Sequence, residues 1–275
     1  MHVLLKKTLW ITLGVGISLG AQAHRGWIVP ASTVLSGSDP WVTFDAAISN
    51  DIFHADHAAM RLESVKVLSP SGKSVELQNA AIGKYRSTFD LNLQEKGTYK
   101  VFTATSGLNA SWETEDGKRA MWPQRGQPSS PEGFEKEVPQ KAKNLKISES
   151  SRRMETFVTA GTPSKDALKP TNSGLELQPI THPNDLFAGE SAEFQFLMDG
   201  KPAVGVKVTV IPDGMRYRNG QEAIDVVSDK NGKISIKWPK SGLYWLSASY
   251  EDDKAKKPAT SRRGGYVATF EVLPQ

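Results

Sequence analysis

The chain contains no cysteine, so no disulfide staples it and no thiolate can bind a metal or attack a substrate. It has no twin-arginine pair near its start. Beyond residue 20 it has no apolar stretch approaching the roughly 20 residues that span a bilayer. A strong charge of one sign is missing too: 34 basic residues face 30 acidic ones, which argues against a nucleic-acid partner. Pairs such as Arg152-Arg153, Lys256-Lys257 and Arg262-Arg263 read as solvated surface. No nucleophile elbow, phosphate loop or paired-carboxylate signature is present, which points away from a hydrolase. Histidine is scarce, at five residues, so a pattern among the histidines stands out.

What is there starts with Lys6 and Lys7, followed by an apolar run over residues 8–20. Ala21-Gln22-Ala23 then places small residues at the −3 and −1 positions of a signal-peptidase site. Residues 1–23 therefore read as a signal peptide, and the mature chain is expected in the periplasm, without a membrane span. Cleavage exposes His24 rather than a cysteine, so no lipid anchor is expected. It removes two of the 34 basic residues and none of the 30 acidic ones, leaving a net charge of +2.

Strand signals dominate the rest. Trp27–Val29, Trp41–Phe44, Val65–Val67, Tyr85–Leu93 and Tyr99–Ala104 are short, rich in β-branched or aromatic residues, and bounded by turn formers. From Tyr85 to Leu93 the apolar residues fall on odd positions, the mark of a strand with one buried face. Residues 24–160 read as an immunoglobulin-like β-sandwich, interrupted at 113–150 by a polar excursion or lid. Residues 161–174 read as an interdomain linker. Residues 175–275 read as a second sandwich, with strands at Ala192–Met198, Val204–Ile211, Tyr244–Tyr250 and Tyr266–Val272. Asp229-Lys-Asn231-Gly232 makes a hairpin turn between Ile224–Val227 and Ile234–Trp238. The expected fold class is all-β, two antiparallel sandwiches after a signal peptide.

The candidate chemistry lies in the histidines. A terminal His24 offers both its α-amine and its imidazole to one ion. His54-Ala-Asp56-His57 lies in an Ala-rich stretch, His54 to Leu62, that reads as a short helical segment. There His54 and His57, three apart, project from one face. Imidazoles suit nickel, cobalt, copper and zinc, whereas calcium and magnesium prefer oxygen. Asp56 or Asp51 stands ready as a further ligand or as an acceptor orienting a ring. The candidate ligands of a divalent transition metal are thus His24, His54, His57 and Asp56. His182 reads as a solvent-exposed histidine at a strand entrance. Trp27 and Trp41 read as core, and Trp112 and Trp122 as candidates for covering the site.

A resemblance sharpens this reading. The Ala-x-Ala cleavage site, the His24-x-x-Trp27 start and the segment Leu175-Glu-Leu-Gln-Pro179-Ile-Thr-His-Pro183-Asn-Asp185-Leu186 resemble an exported bacterial family of unassigned domain function. That family is commonly labelled a periplasmic nickel-uptake or cobalt-transport component. Asp199-Gly200-Lys-Pro202 and Ser228-Asp229-Lys-Asn-Gly232 with Gly242-Leu-Tyr244 are similar to its carboxy-terminal half, and to carboxypeptidase-regulatory and transthyretin-like sandwiches. The resemblance implies a non-enzymatic metal-binding protein, with nickel or cobalt favoured and a membrane transporter or outer-membrane receptor as partner. Proteins of this kind often start His-Asp, so Arg25 is a departure that sets a positive charge beside the proposed ion. Two other readings stand beside it. One is an adhesion or scaffold protein of two sandwiches without a metal. The other is a copper-dependent oxidase using the terminal histidine.

Overall fold

The structure, a computed structural model, describes residues 24–124 and 126–275. The expected signal peptide, 1–23, lies outside the described residues. The described chain is all-β, built as two β-sandwiches in three sheets. No described helix is long and apolar enough to cross a membrane.

The first sheet orders the strands Arg25–Pro30, Trp41–Ser49, Ser87–Asn92 and Gln78–Ile82, with the short strand Ala58–Ala59 beside Trp41–Ser49. Alternation drives the burial. Val42, Phe44 and Ala46 point inward while Trp41 and Thr43 face water, so Trp41, expected as core, is exposed. Phe44 lies opposite Phe89 and their rings stack with centroids 4.8 Å apart. Phe89, Leu91 and Leu93 are buried as their spacing predicts, whereas Tyr85 precedes the strand and is exposed.

The second sheet has nine strands and serves both sandwiches. Its long hairpin pairs Gly97–Glu113 with Lys143–Ala160. Lys143–Ala160 then pairs in parallel with Ser261–Val272, from Ser148↔Ser261 to Thr156↔Thr269. Beyond it lie Gly242–Asp252, Lys207–Pro212 and Ile224–Val227. The parallel join departs from the expected all-antiparallel sheets. Alternation within a strand sets which face is buried but carries no information about a neighbour a hundred residues away.

Because strand side chains alternate, the shared strand supplies both cores. Val158 and Ala160 pack in the first, with Ile28, Phe89 and Val101. Phe157 packs in the second, with Phe194, Phe196, Trp238 and Phe270. The third sheet, Leu175–Pro179, Ser191–Met198, Lys201–Pro202 and Lys233–Lys237, closes that second core.

Between the sandwiches, residues 161–174 are packed down. A 3-10 turn, Asp166–Leu168, buries Ala167 and Leu168. Thr171 donates to the Glu176 carboxylate from its amide (2.9 Å) and its hydroxyl (2.8 Å). Glu176 also pairs with Arg153 at 3.1 Å, and Arg153 with Glu155 at 3.2 Å. The Tyr266 hydroxyl donates to Glu155 at 2.8 Å. Arg153, Glu155, Glu176 and Tyr266 are buried. Burial, reinforced by Glu155, pushes the Tyr266 phenol well above its ordinary value.

The 113–150 segment prolongs the hairpin. A strand, Arg119–Trp122, pairs with the end of Gly97–Glu113. The helix Pro131–Glu137 follows, its first turn capped by Ser130, whose hydroxyl accepts from the Gly133 amide at 3.0 Å. Serine at this position satisfies an otherwise orphaned amide, and proline is pre-set for the first helical residue. Trp122 packs edge-on against Phe134, with centroids 5.6 Å apart, in a small core of its own. Trp112 packs at the margin of that core, so neither tryptophan covers the histidines.

Candidate metal centre

Sheet register brings two of the candidate histidines together. Ile48 lies between Gly26 on one side and Ala58 on the other. His24 and His57 come just before those flanking strands, at the same end of Trp41–Ser49. Their rings stack with centroids 3.6 Å apart and planes 14° from parallel. Both side chains are exposed.

The loop between the strands is a set of turns rather than a helix. The His54 amide donates to Asp51 O at 3.3 Å, and Ala58–Ala59 extends the sheet. This corrects the expected helical segment. An unpaired strand edge offers Ala58 and Ala59 backbone partners that outweigh alanine's helix propensity, a weak bias that tertiary context overrides. His54 and His57 therefore do not share a helical face. Ile52 and Phe53 pin the loop down: Ile52 is buried beside Trp27, and Phe53 meets the Trp27 ring edge-on at 5.8 Å. The Trp27 indole donates to the Ser49 hydroxyl at 2.7 Å.

Asp56 closes the loop by accepting from the Asn50 amide at 2.9 Å. Burial raises its carboxyl, but the hydrogen bonds from Asn50 prevail and hold it below the ordinary aspartate value. Asp56 Oδ1 is thus engaged within the loop. Among the described residues no three of His, Asp, Glu or Cys gather as a metal would require.

The second sandwich forms the other wall. The Trp245 indole donates to Gly26 O at 3.0 Å, and the Arg25 guanidinium lies 5.6 Å over the Trp245 ring. Arg25 also reaches Asn50 O and the Met215 sulfur, each at 3.3 Å. Burial lowers its pKa from the ordinary arginine value, with Asp51 opposing. Arg25 therefore turns onto the second sandwich rather than toward the histidine rings. The next loop residue, Arg216, places Nη1 2.9 Å from His54 Nδ1 and 2.5 Å from its Nε2. Sequence reading missed Met215, Arg216 and Trp245. The basic and aromatic run Met215-Arg-Tyr217-Arg218 after Gly214 was the available signal.

His182 is a structural tie rather than a solvent-exposed histidine. Its Nδ1 accepts from the Asn184 amide at 3.1 Å, so Nε2 carries the proton and faces Ser164 O at 3.2 Å and Thr98 Oγ1 at 2.9 Å. Burial lowers its pKa, partly countered by the Ser164 carbonyl. It links the first sandwich to the 161–186 crossing.

The donor chemistry suits a transition metal in part. Imidazole lone pairs lie in the ring plane, so two parallel rings do not converge on one ion about 2.0–2.1 Å from each nitrogen. Convergence on one ion would require a turn about the side-chain bonds of one of the two exposed histidines. His24 and His57 would then hold the ion, and His54 stays with Arg216.

A β-sandwich protein with a paired-histidine surface site is the class these features define. The chain belongs to the family of the domain of unknown function DUF4198, whose model matches residues 21–252. A comparison with curated proteins gives no match. Among solved structures, the chain is similar to the human OSCAR ligand-binding domain, at 10% identity over 91% of this chain and 100% of that one, with a TM-score of 0.19. The D0-D1 domain of intimin shares 11% identity over 88% of this chain and 96% of that one, TM-score 0.20. A DUF3823 family protein from Bacteroides uniformis shares 13% over 80% and 93%, TM-score 0.21.

Proposed function

We propose that this is an exported, non-enzymatic protein of the periplasm that binds a divalent transition metal as cargo, nickel or cobalt by resemblance, and passes it to an uptake system in the membrane. The observation that carries this reading is the meeting of His24 and His57, 33 residues apart in the chain, as an exposed stacked pair. Scattered surface histidines have no reason to meet. If the signal peptide ends at Ala23, the His24 α-amine adds a third nitrogen donor from the same two residues. Beneath the pair, Trp27, Ile52 and Trp245 pack into one buried cluster that joins both histidine-bearing segments to the second sandwich.

The test is calorimetric titration of the mature chain, starting at His24, with nickel, cobalt, copper and zinc. One-to-one binding that His24→Ala and His57→Ala each abolish supports the reading. Absence of binding by the authentic chain contradicts it, and leaves a two-sandwich scaffold without a metal.

A further inference from the structure

The hairpin strand Gly97–Glu113 is paired along the whole of one edge but only near its ends along the other. The Thr98 amide donates outward to Ser164 Oγ at 2.9 Å, and the opposite Thr159 amide donates the other way, to Thr33 O at 2.8 Å. Thr98 and Thr159 are therefore a non-hydrogen-bonded pair. The register runs unshifted from there to Ser111↔Lys146, so each even residue in between turns its N–H and C=O away from Lys143–Ala160. On that outer edge Lys100 and Phe102 lie beside Lys66–Leu68, and Ala110 and Trp112 beside Arg119–Trp122. Between them Ala104 and Ser106 are exposed, and among the described residues nothing hydrogen-bonds to their outward backbone groups. Other edges of the molecule are guarded in the usual ways. Arg25–Pro30 carries an arginine and a proline, Gln78–Ile82 is broken by a register shift, and Lys201–Pro202 is two residues long. Thr103-Ala-Thr-Ser106 has no charge, proline or bulge.

A cavity of about 270 Å³ adjoins this edge, lined by the same two residues. Ala104 and Ser106 lie opposite Arg153 and Ser151 on one face of the hairpin, and Ser173 and Leu175 complete the lining. Gly174 lets that segment approach: a Cβ there would lie 2.5 Å from the Ser151 Cβ. The lining holds two arginines, Arg152 and Arg153, and no carboxylate. Ser151 Oγ accepts from the Leu175 amide at 3.1 Å, which leaves its own proton to donate. A residue paired opposite Ala104 or Ser106 has its side chain on their face, toward the cavity. Hydroxyl donors and positive charge match a carboxylate there. We propose that this edge takes one short extended segment of a partner polypeptide as an added strand, with an acidic side chain entering the cavity. Backbone pairing holds such a segment, and the cavity selects it. A second copy offering the same strand does not fit, because that strand already carries Lys66–Leu68 and Arg119–Trp122 on this edge. A Cβ on Gly107 would lie 2.6 Å from the Ser129 Cβ, so the slot closes there and admits about four residues, ~13 Å of strand. Neither the histidines nor a metal takes part.

The probes are three fluorescein-labelled heptapeptides of alternating valine and threonine, with aspartate, serine or lysine at the centre, titrated by anisotropy into the mature chain. The aspartate peptide should bind at least about tenfold tighter than the lysine peptide, the effect of a charge-assisted hydrogen bond. Ala104→Pro removes one outward N–H and spares the hairpin's own ladder. It should weaken the aspartate peptide about tenfold, whereas Ala104→Ser, which keeps the N–H, should stay within about threefold of the parent. Hydrogen exchange gives a readout that needs no variant. In the free chain the Ala104 and Ser106 amides should exchange at least about a hundredfold faster than those of Thr103 and Thr105, which point into the hairpin, and they should slow when the peptide binds. Binding of none of the three peptides overturns the proposal, as does equal protection of all four amides in the free chain. Equal affinity for the aspartate and lysine peptides overturns the acidic preference, and unchanged affinity in Ala104→Pro overturns pairing at this edge.

Discussion

Two of the places where the sandwiches meet treat charge in opposite ways. At the first, Arg153, Glu155 and Glu176 are buried and hydrogen-bonded to one another, to Thr171 and to Tyr266. At the second, His24, His54, His57 and Arg216 are exposed, and Arg216 has no carboxylate partner among the described residues. Desolvation explains the contrast. A buried ion without partners costs several kcal/mol, so a closed join must satisfy its groups internally. An exposed ion keeps its water and can wait for a ligand. The first join therefore closes its charges against one another, and the second leaves its ionisable groups open to solvent.

Breaking the closed join gives the largest expected effect. Glu176→Ala leaves Arg153 buried with one partner fewer and should cost about 3–5 kcal/mol in denaturant unfolding. Replacing Arg153, Glu155 and Glu176 together with apolar residues of similar volume should cost far less, because no orphaned charge remains. At the open join, Trp245→Phe removes the hydrogen bond to Gly26 O but keeps most of the apolar contact. A loss of about 1 kcal/mol is expected.

The His182 tie gives a pH signature. Its pKa is lowered in the folded state, so the unfolded chain takes up the proton first as pH falls. Stability is then fully present above the unfolded value of about 6.5 and declines as pH drops toward the folded value. The melting temperature should fall between pH 7 and pH 5, and His182→Asn should flatten that fall. The depressed carboxylates, such as Asp90 and Asp252, lose their contributions at lower pH, below the ordinary carboxylate range. The smallest effects belong to the open site: His57→Ala and Arg216→Gln should each change stability by less than about 0.5 kcal/mol. A larger loss would make these residues structural and weaken the contrast between the joins.

The fold class was legible because alternation is local. Phe89-Asp-Leu91-Asn-Leu93 and Phe194-Gln-Phe196 declare one buried face each, and the structure buries them. The shared sheet was not legible, since nothing in Lys143–Ala160 names Ser261–Val272 as its parallel neighbour. The 161–174 segment looked like a linker because its composition is polar. Thr171, through its amide and hydroxyl, and Ser173, through its amide, donate to Glu176. At the candidate site, His24 and His57, named together from the sequence, do meet, but the helical face expected to align His54 with His57 does not form. A helical reading joined His54 to His57, whereas the sheet edge joins His57 to His24. Arg216 arrives from the second sandwich, and sequence separation hid it.

The central claim is that the open join binds a metal through His24 and His57. The most direct measurement is NMR of the mature, histidine-labelled chain titrated with zinc. The account predicts that the His24 and His57 ring signals shift together and saturate at one equivalent, while those of His182 stay fixed. Ring signals that do not move at stoichiometric zinc, or that move for His54 alone, would contradict it.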